Sequence, residues 1–259
     1  MSNIIITGAN QGIGYYFTEQ ALKNGHRVAV LDLEIDNLET LAQSYPNRLL
    51  YYKADMRVET QIRTAIVDII ENFQRIDIAI HNACLCTFIK EADADLSIYE
   101  QVFDVNYYGA LRLVKSILPH MQKQKNGKVI FTSSGVGITG FIGISPYAST
   151  KGALETLAKC LNLEYSSDGV TFHIIHPPLT RTKSAEPLPV PKEFMADPKK
   201  VGYGIAKRIL SNNFILCHSF TQKFQTLACY LFPIKMGRLM SKMALRYMDN
   251  KKSPNTEEN

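Results

Sequence analysis

Thr7-Gly8-Ala9-Asn10-Gln11-Gly12-Ile13-Gly14 is the stretch on which the fold turns. It follows an apolar β-branched run, Asn3–Thr7, and opens an amphipathic segment. Backbone that turns sharply and then passes close to a pyrophosphate needs glycine. The helix that follows offers free N–H groups and the positive end of its dipole. A plain turn between strand and helix is the alternative. The strand-before, helix-after context favours a nucleotide cradle. Gly8, Asn10, Gln11, Gly12, Ile13 and Gly14 are therefore candidate cofactor contacts.

Outward from this loop the chain alternates between two hydrophobic periods. Short β-branched or aromatic runs predict strands at Asn3–Thr7, Arg27–Asp32, Leu49–Lys53, 76–81, 128–133 and Val170–Ile175, with a short seventh at 214–217. Amphipathic stretches predict helices near 13–23, 36–44, 59–74, 98–123 and 147–166. Strand–helix alternation with right-handed crossovers makes a doubly wound, Rossmann-type parallel sheet of about seven strands, with helices on both faces. Pro187, Pro189, Pro191 and Pro198 argue against a long helix or strand across 183–200. The expected division is a dinucleotide-binding and catalytic unit over 1–218, a basic helical extension of the same domain over 219–252, and a disordered tail over 253–259.

The 259 residues, 46% hydrophobic and 20% charged, are enough to bury one sizeable core. No apolar run reaches the roughly 18–20 residues of a membrane span. Met1-Ser2-Asn3 enters a strand-like run without a charged leader, which argues against a secretory signal. Five scattered cysteines suit a reducing compartment, and a cytoplasmic location is the expectation. Neither the histidines nor Cys84-Leu85-Cys86 have the spacing of a metal site, so none is expected.

Asp32 ends the second strand, 18 residues after Gly14. A carboxylate there can accept from both ribose hydroxyls and repels a 2′-phosphate. Asn10 and Gln11 stand where a phosphate-binding cation would serve, and neither is basic. NAD(H) is thus favoured over NADP(H). Further along, Tyr147 and Lys151 lie one helical turn apart, on one face. A phenol titrating near 10 is a poor base at neutral pH unless a cation stabilises the phenolate. Ser134, after the fifth strand, can polarise the carbonyl oxygen that receives a hydride. Each residue alone has a bland reading as a cap or turn; their order and spacing together point to chemistry.

These motifs resemble the short-chain dehydrogenase/reductase family over roughly residues 3–218. The glycine string matches its cofactor fingerprint, and Asp55, with Met56 beside it, matches the acidic position that meets adenine. Asn82-Ala83 matches its Asn-Ala-Gly turn, with Cys84 replacing glycine. Asn106, Ser134, Tyr147 and Lys151 match its active-site tetrad. In Pro177-Pro178-Leu179-Thr180-Arg181-Thr182, the resemblance implies that Pro177, Thr180 and Thr182 hold the nicotinamide, with Pro178 replacing glycine. It also implies that Tyr147 and Lys151 reach the cofactor, that Asn106 holds backbone and a water linked to Lys151, and that dimers or tetramers form through the helices of Asn106 and Tyr147. The expected activity is NAD(H)-dependent interconversion of a secondary alcohol and a ketone on a small-molecule substrate. A non-catalytic NAD-binding sensor on the same fold is the competing class, and cofactor turnover separates the two.

The net charge of +5 is uneven: residues 192–252 carry 12 basic and 3 acidic side chains. Within them, 234–248 has the period of an amphipathic helix, with Met236, Leu239, Met240, Met243 and Ala244 on one face and Lys235, Arg238, Lys242 and Arg246 adjoining. Such a helix either packs on the subunit's own body or across an oligomer interface, or lies on anionic lipid, the last implying a lipophilic substrate such as a lipid, steroid or long-chain ketone. Nucleic acid is not an expected partner, because stacking aromatics are missing from that face.

Overall fold

The computed structural model describes residues 1–252; the tail 253–259, expected to be disordered, lies outside the described residues. In chain order the elements are β1 (Asn3–Thr7), α1 (Gly12–Lys23), β2 (Arg27–Asp32), α2 (Asp36–Ser44), β3 (Leu49–Lys53), α3 (Glu59–Phe73), β4 (Ile78–His81), α4 (Leu96–Phe103), α5 (Gly109–Gln124), β5 (Gly127–Thr132), α6 (Val136–Thr139), α7 (Ser145–Tyr165), β6 (Val170–Ile175), α8 (Pro198–Ala206), β7 (Ile215–Leu216), α9 (Phe220–Leu231) and α10 (Pro233–Lys252). All seven strands pair in parallel in the order β3-β2-β1-β4-β5-β6-β7.

Helices cover both faces, so strands read as continuous apolar runs, as in the fully buried Asn3–Thr7. One face packs Ile62, Ile66, Leu113, Ile117 and Leu154 against Phe131 and Phe172. The other packs Phe17, Leu22, Leu38, Val201 and Ile205 against Ile4, Ile6 and Val30. Each such side chain contributes roughly 1.5–3 kcal/mol. Strand order reverses between β1 and β4, which opens a crevice at their carboxyl ends, where this fold seats ligands.

Five segments depart from the sequence expectation. The predicted helix over 98–123 is split by a π-helical turn, Asp104–Tyr108, that carries Asn106 inward. β4 starts at Ile78 because both backbone groups of Ile76 are taken by the Gln124 side chain, at 3.1 and 2.9 Å. β5 runs Gly127–Thr132 and β7 only Ile215–Leu216. Short 3₁₀ turns occupy Lys183–Ala185 and Lys192–Phe194, as the prolines require. Pro198, however, opens α8: its missing N–H costs nothing in a first turn, and Asp197 caps the helix by accepting from Lys199 N–H at 2.9 Å.

The amphipathic segment 234–248 is helical within α10 and packs partly on the body. A Cβ on Gly237 would stand 2.5 Å from the Thr139 carbonyl, so only glycine lets the two helices approach so closely. Ala244 is fully buried, and Ser241 Oγ accepts from Ile142 N–H at 3.1 Å. Among the described residues no helix is long and apolar enough to cross a membrane.

Candidate active site

The first βα turn is built by glycine. Gly8 and Gly12 have φ of +67° and +62°, left-handed values that L side chains resist. A Cβ on Gly8 would lie 2.5 Å from Cα of Ala83, and one on Gly14 would lie 2.5 Å from the Gly8 carbonyl. Thr7 Oγ1 accepts from the N–H groups of Asn82 and Ala83, both at 3.1 Å, while Asn82 Nδ2 donates to Gly8 O at 2.7 Å. The loops after β1 and β4 are thus stitched together. The role of Thr7 is not visible in sequence, where it reads as the last residue of a strand.

Beside these loops lies a cleft of about 1060 Å³. It is lined by Gly8, Gln11, Gly12, Ile13, Asp32, Asp55, Met56, Asn82, Ala83, Ser134, Tyr147, Lys151, Pro177, Thr180 and Thr182. Three candidates sit behind the lining. Asn10 is buried, and its Oδ1 accepts from Asn37 and Leu38 N–H at 3.0 and 3.3 Å. Its side chain caps α2 and does not line the cleft. Gly14 acts by allowing close packing, and Asn106 is fully buried.

The residues present fit a dinucleotide. Glycine backbone lies open on the cleft, and a carboxylate closes one end. Asp32 Oδ2 accepts from Asn10 N–H at 2.7 Å and Oδ1 from Glu34 N–H at 3.3 Å. Burial raises this carboxyl above its usual range, against the opposing pull of those N–H groups. Asp55 is engaged by Arg57, whose Nη2 lies 2.6 Å from Oδ2; that pair holds Asp55 below the carboxylate range. Arg57 and Lys183 also line the cleft, and neither carries a sequence signal.

On α7, Lys151 is buried; its Nζ donates to Thr132 O at 2.7 Å and lies 5.3 Å from the Tyr147 ring centroid. Burial lowers the Lys151 pKa. Burial raises that of Tyr147, the thiols of Cys84 and Cys86 raise it further, and the Ser134 hydroxyl opposes them. Asn106 Oδ1 accepts from Leu85 N–H at 2.7 Å, and its Nδ2 donates to Leu85 O and to Thr150 Oγ1, both at 3.0 Å. It clamps the Cys84-Leu85-Cys86 segment to α7. Burial pushes the Cys86 thiol up to about 12, so it stays protonated. Pro178 contributes its carbonyl, which accepts from Thr180 Oγ1 at 2.7 Å. Thr182 Cγ2 lies 3.1 Å from where a Gly12 Cβ would stand, so this loop packs on the glycine turn.

The far wall comes from beyond the motifs. Gln222, Gln225, Thr226 and Cys229 of α9, and Met236, Met240 and Met243 of α10, face the cleft with Phe141, Leu188 and Phe194. The apolar edge of 234–248 is thus partly the inside of a chamber, and periodicity alone does not tell a chamber wall from a lipid-facing one.

A family model described as short chain dehydrogenase matches residues 2–192. Oxidoreductase UcpA of Salmonella typhimurium is 32% identical over 214 residues, covering 79% of this chain and 79% of that protein. The 2-(R)-hydroxypropyl-CoM dehydrogenase of Xanthobacter autotrophicus is 31% identical, covering 69% of this chain and 74% of its own. The crystal structure of a short-chain dehydrogenase from Streptomyces avermitilis superposes with a TM-score of 0.78 at 21% identity, over 98% of this chain and 99% of that one. The match reaches from the glycine turn through the Tyr147–Lys151 helix and into the loop after β6. The chain therefore belongs to the short-chain dehydrogenase family of oxidoreductases.

Proposed function

We propose that this enzyme interconverts a secondary alcohol and a ketone with NAD(H), on a lipophilic substrate. The observation that carries the reading is the convergence of Ser134, Tyr147 and Lys151 on one cleft, with Lys151 Nζ 5.3 Å from the Tyr147 ring centroid. A bound nicotinamide supplies or accepts the hydride. In the reductive direction Tyr147 gives its hydroxyl proton to the oxygen of the former carbonyl, and Ser134 donates a hydrogen bond to that same oxygen. The Lys151 ammonium stabilises the phenolate left behind and would help hold the cofactor's ribose. Asn106 keeps the 84–86 segment and α7 in register, and in oxidation every proton moves the other way.

Family membership supports a cofactor of the NAD(P)(H) class. Asp32 favours NAD(H), because a 2′-phosphate would bring like charges together at the end of β2. Methionine and phenylalanine on the far wall favour an apolar substrate. Assembly as a homodimer or homotetramer is part of the proposal. The test is turnover of NADH and NADPH with ketones of increasing chain length. Preference for NADH, with kcat/KM rising with apolar length, supports the reading. No turnover with either cofactor, or preference for NADPH, overturns the corresponding part.

A further inference from the structure

α9 is amphipathic the wrong way round for a helix on a globular surface. Its polar residues Gln222 and Thr226 are buried at 7% and 4% exposure, while Phe220, Phe224, Leu227 and Leu231 are 69%, 58%, 51% and 61% exposed. The exposed set follows i, i+4, i+7, i+11, so it forms one continuous stripe. The stripe continues through the turn into α10 with Phe232 and Ile234, 52% and 63% exposed. Scattered surface apolar residues need no explanation; an aligned aromatic and aliphatic face does.

Charge beside the stripe selects its occupant. Lys223 of α9 and Lys235, Arg238 and Lys242 of α10 are exposed, and Lys235 Nζ lies 5.5 Å from the Phe232 ring centroid. From 198 to 248 the chain has nine Lys and Arg and no Asp or Glu. A second copy brought to this face by two-fold symmetry would set these cations against cations, with no carboxylate from 198–248 to pair them. A surface that is apolar within and anionic at its edge satisfies both features, and aromatic rings beside cations suit the headgroup boundary.

We propose that the outer face of α9, with the α9–α10 turn, seats the enzyme on an anionic lipid surface. The contact is carried by Phe220, Phe224, Leu227 and Leu231; on α10, Met236, Met240 and Met243 line the cleft and Ala244 is buried, while Leu239 is 52% exposed. Gln222, Gln225 and Thr226 line the cleft from the same helix whose other side bears the stripe. Docking therefore lays the chamber wall against the bilayer, where apolar molecules concentrate. The inference does not depend on the redox reading, since binding is measured without turnover.

The experiment is cosedimentation of the full chain with vesicles of phosphatidylcholine alone or mixed with phosphatidylserine, at low and high salt. Two variants are compared: Phe220→Ser/Phe224→Ser/Leu231→Gln on the stripe, and Lys223→Glu/Lys235→Glu/Arg238→Glu beside it. None of these six side chains lines the cleft, and thermal unfolding checks that each variant is folded. The expected result is binding to the mixed vesicles at low salt that falls at least about tenfold in each variant and weakens at high salt. Should the stripe variant fail to fold, the charge variant decides the matter alone. Binding by wild type that neither variant reduces overturns the proposal, as does no binding under any condition. Self-association abolished by the stripe variant, without vesicle binding, assigns the face to a second copy and equally overturns it.

Discussion

The Tyr230 hydroxyl of α9 donates to Glu155 Oε2 at 2.7 Å, one helical turn beyond Lys151 on α7. Glu155 Oε1 also accepts from Ser133 Oγ at 2.8 Å and lies 3.1 Å from His176 Nε2. Ser133 precedes Ser134 and His176 precedes Pro177, so segments that bear the candidate site converge on one buried carboxylate. Tyr230 adds the C-terminal helices to that junction.

Removing the donor tests the junction. Tyr230→Phe keeps the ring and leaves a buried carboxylate oxygen short of one hydrogen bond, at a cost of about 1–2 kcal/mol. Urea denaturation should show a lower midpoint with an unchanged slope. An unchanged midpoint would mean that α9 is held by its packing alone.

Glu155 also predicts an acid response. Burial pushes its carboxyl up, but His176, Tyr230 and Ser133 outweigh burial and hold it below its ordinary value of 4.5. The folded pKa is thus depressed, so the ionised form stabilises the fold. That stability is fully present above about 4.5 and is lost as pH falls through the folded value. Glu155→Gln should be less stable than wild type near neutral pH, and the gap should narrow as pH drops below about 4.5. Denaturation midpoints across that range check it; a constant gap would show that Glu155 does not titrate with folding.

Much of the fold was legible because βαβ units write themselves as apolar runs between amphipathic stretches, and the glycine turn fixed where the crevice opens. The π turn at Asp104–Tyr108 was not legible, because 98–123 keeps helical periodicity straight through it. Ser134, Tyr147 and Lys151 were readable from spacing, since they occupy a strand end and one helix face. The capping role of Asn10 was not legible, because its partners at Asn37 and Leu38 lie 27 and 28 residues away. Glu155 and Tyr230 were silent for the same reason: their partners are set by tertiary packing. Arg57 pairs locally, with Asp55 two residues before it, but nothing in the motif marks that pair.

Glycine substitutions separate backbone strain from steric blockage. Gly25 has φ +86° but nothing within 4 Å of an added Cβ, so Gly25→Ala should cost only the left-handed penalty, roughly 1–2 kcal/mol. Gly8→Ala adds a 2.5 Å contact with Ala83 backbone to a similar penalty. It should cost more than Gly25→Ala in thermal unfolding and also weaken NADH binding, which Gly25→Ala should leave intact. Equal effects of the two on NADH affinity would contradict the close-approach role.

Asp32 is the cofactor selector in the proposed reading. Asp32→Ser removes the charge that opposes a 2′-phosphate and should narrow the NADH-over-NADPH preference by about tenfold or more, given that a single charge contact shifts binding by a kcal/mol or more. Fluorescence titration with both cofactors measures it. A ratio unmoved by the substitution would place discrimination elsewhere, with Arg57 and Lys183, two cationic side chains on the cleft, the next to test.

Tyr147 and Lys151 should fail differently, because one moves the proton and the other holds the site. Tyr147→Phe deletes only a hydroxyl and should lower kcat by about 10²–10⁴ with NADH affinity close to unchanged. Lys151 donates to the Thr132 carbonyl at 2.7 Å, so Lys151→Ala also leaves a buried acceptor unpaired and opens space beneath the Tyr147 ring. It should lose kcat, weaken NADH binding and lower the unfolding midpoint together. Lys151→Met, which fills that space without charge, should restore stability in part and leave turnover low. The pH profile gives the sign: burial holds the Tyr147 pKa up and the Lys151 pKa down, so the reduction, which needs the phenol protonated, should persist to neutral pH and fall only on the alkaline side. Removing the Lys151 charge should move that alkaline limb to higher pH where activity remains measurable, because the phenolate then lacks its cation. A limb that stays in place in Lys151→Met would show that the ammonium does not tune Tyr147.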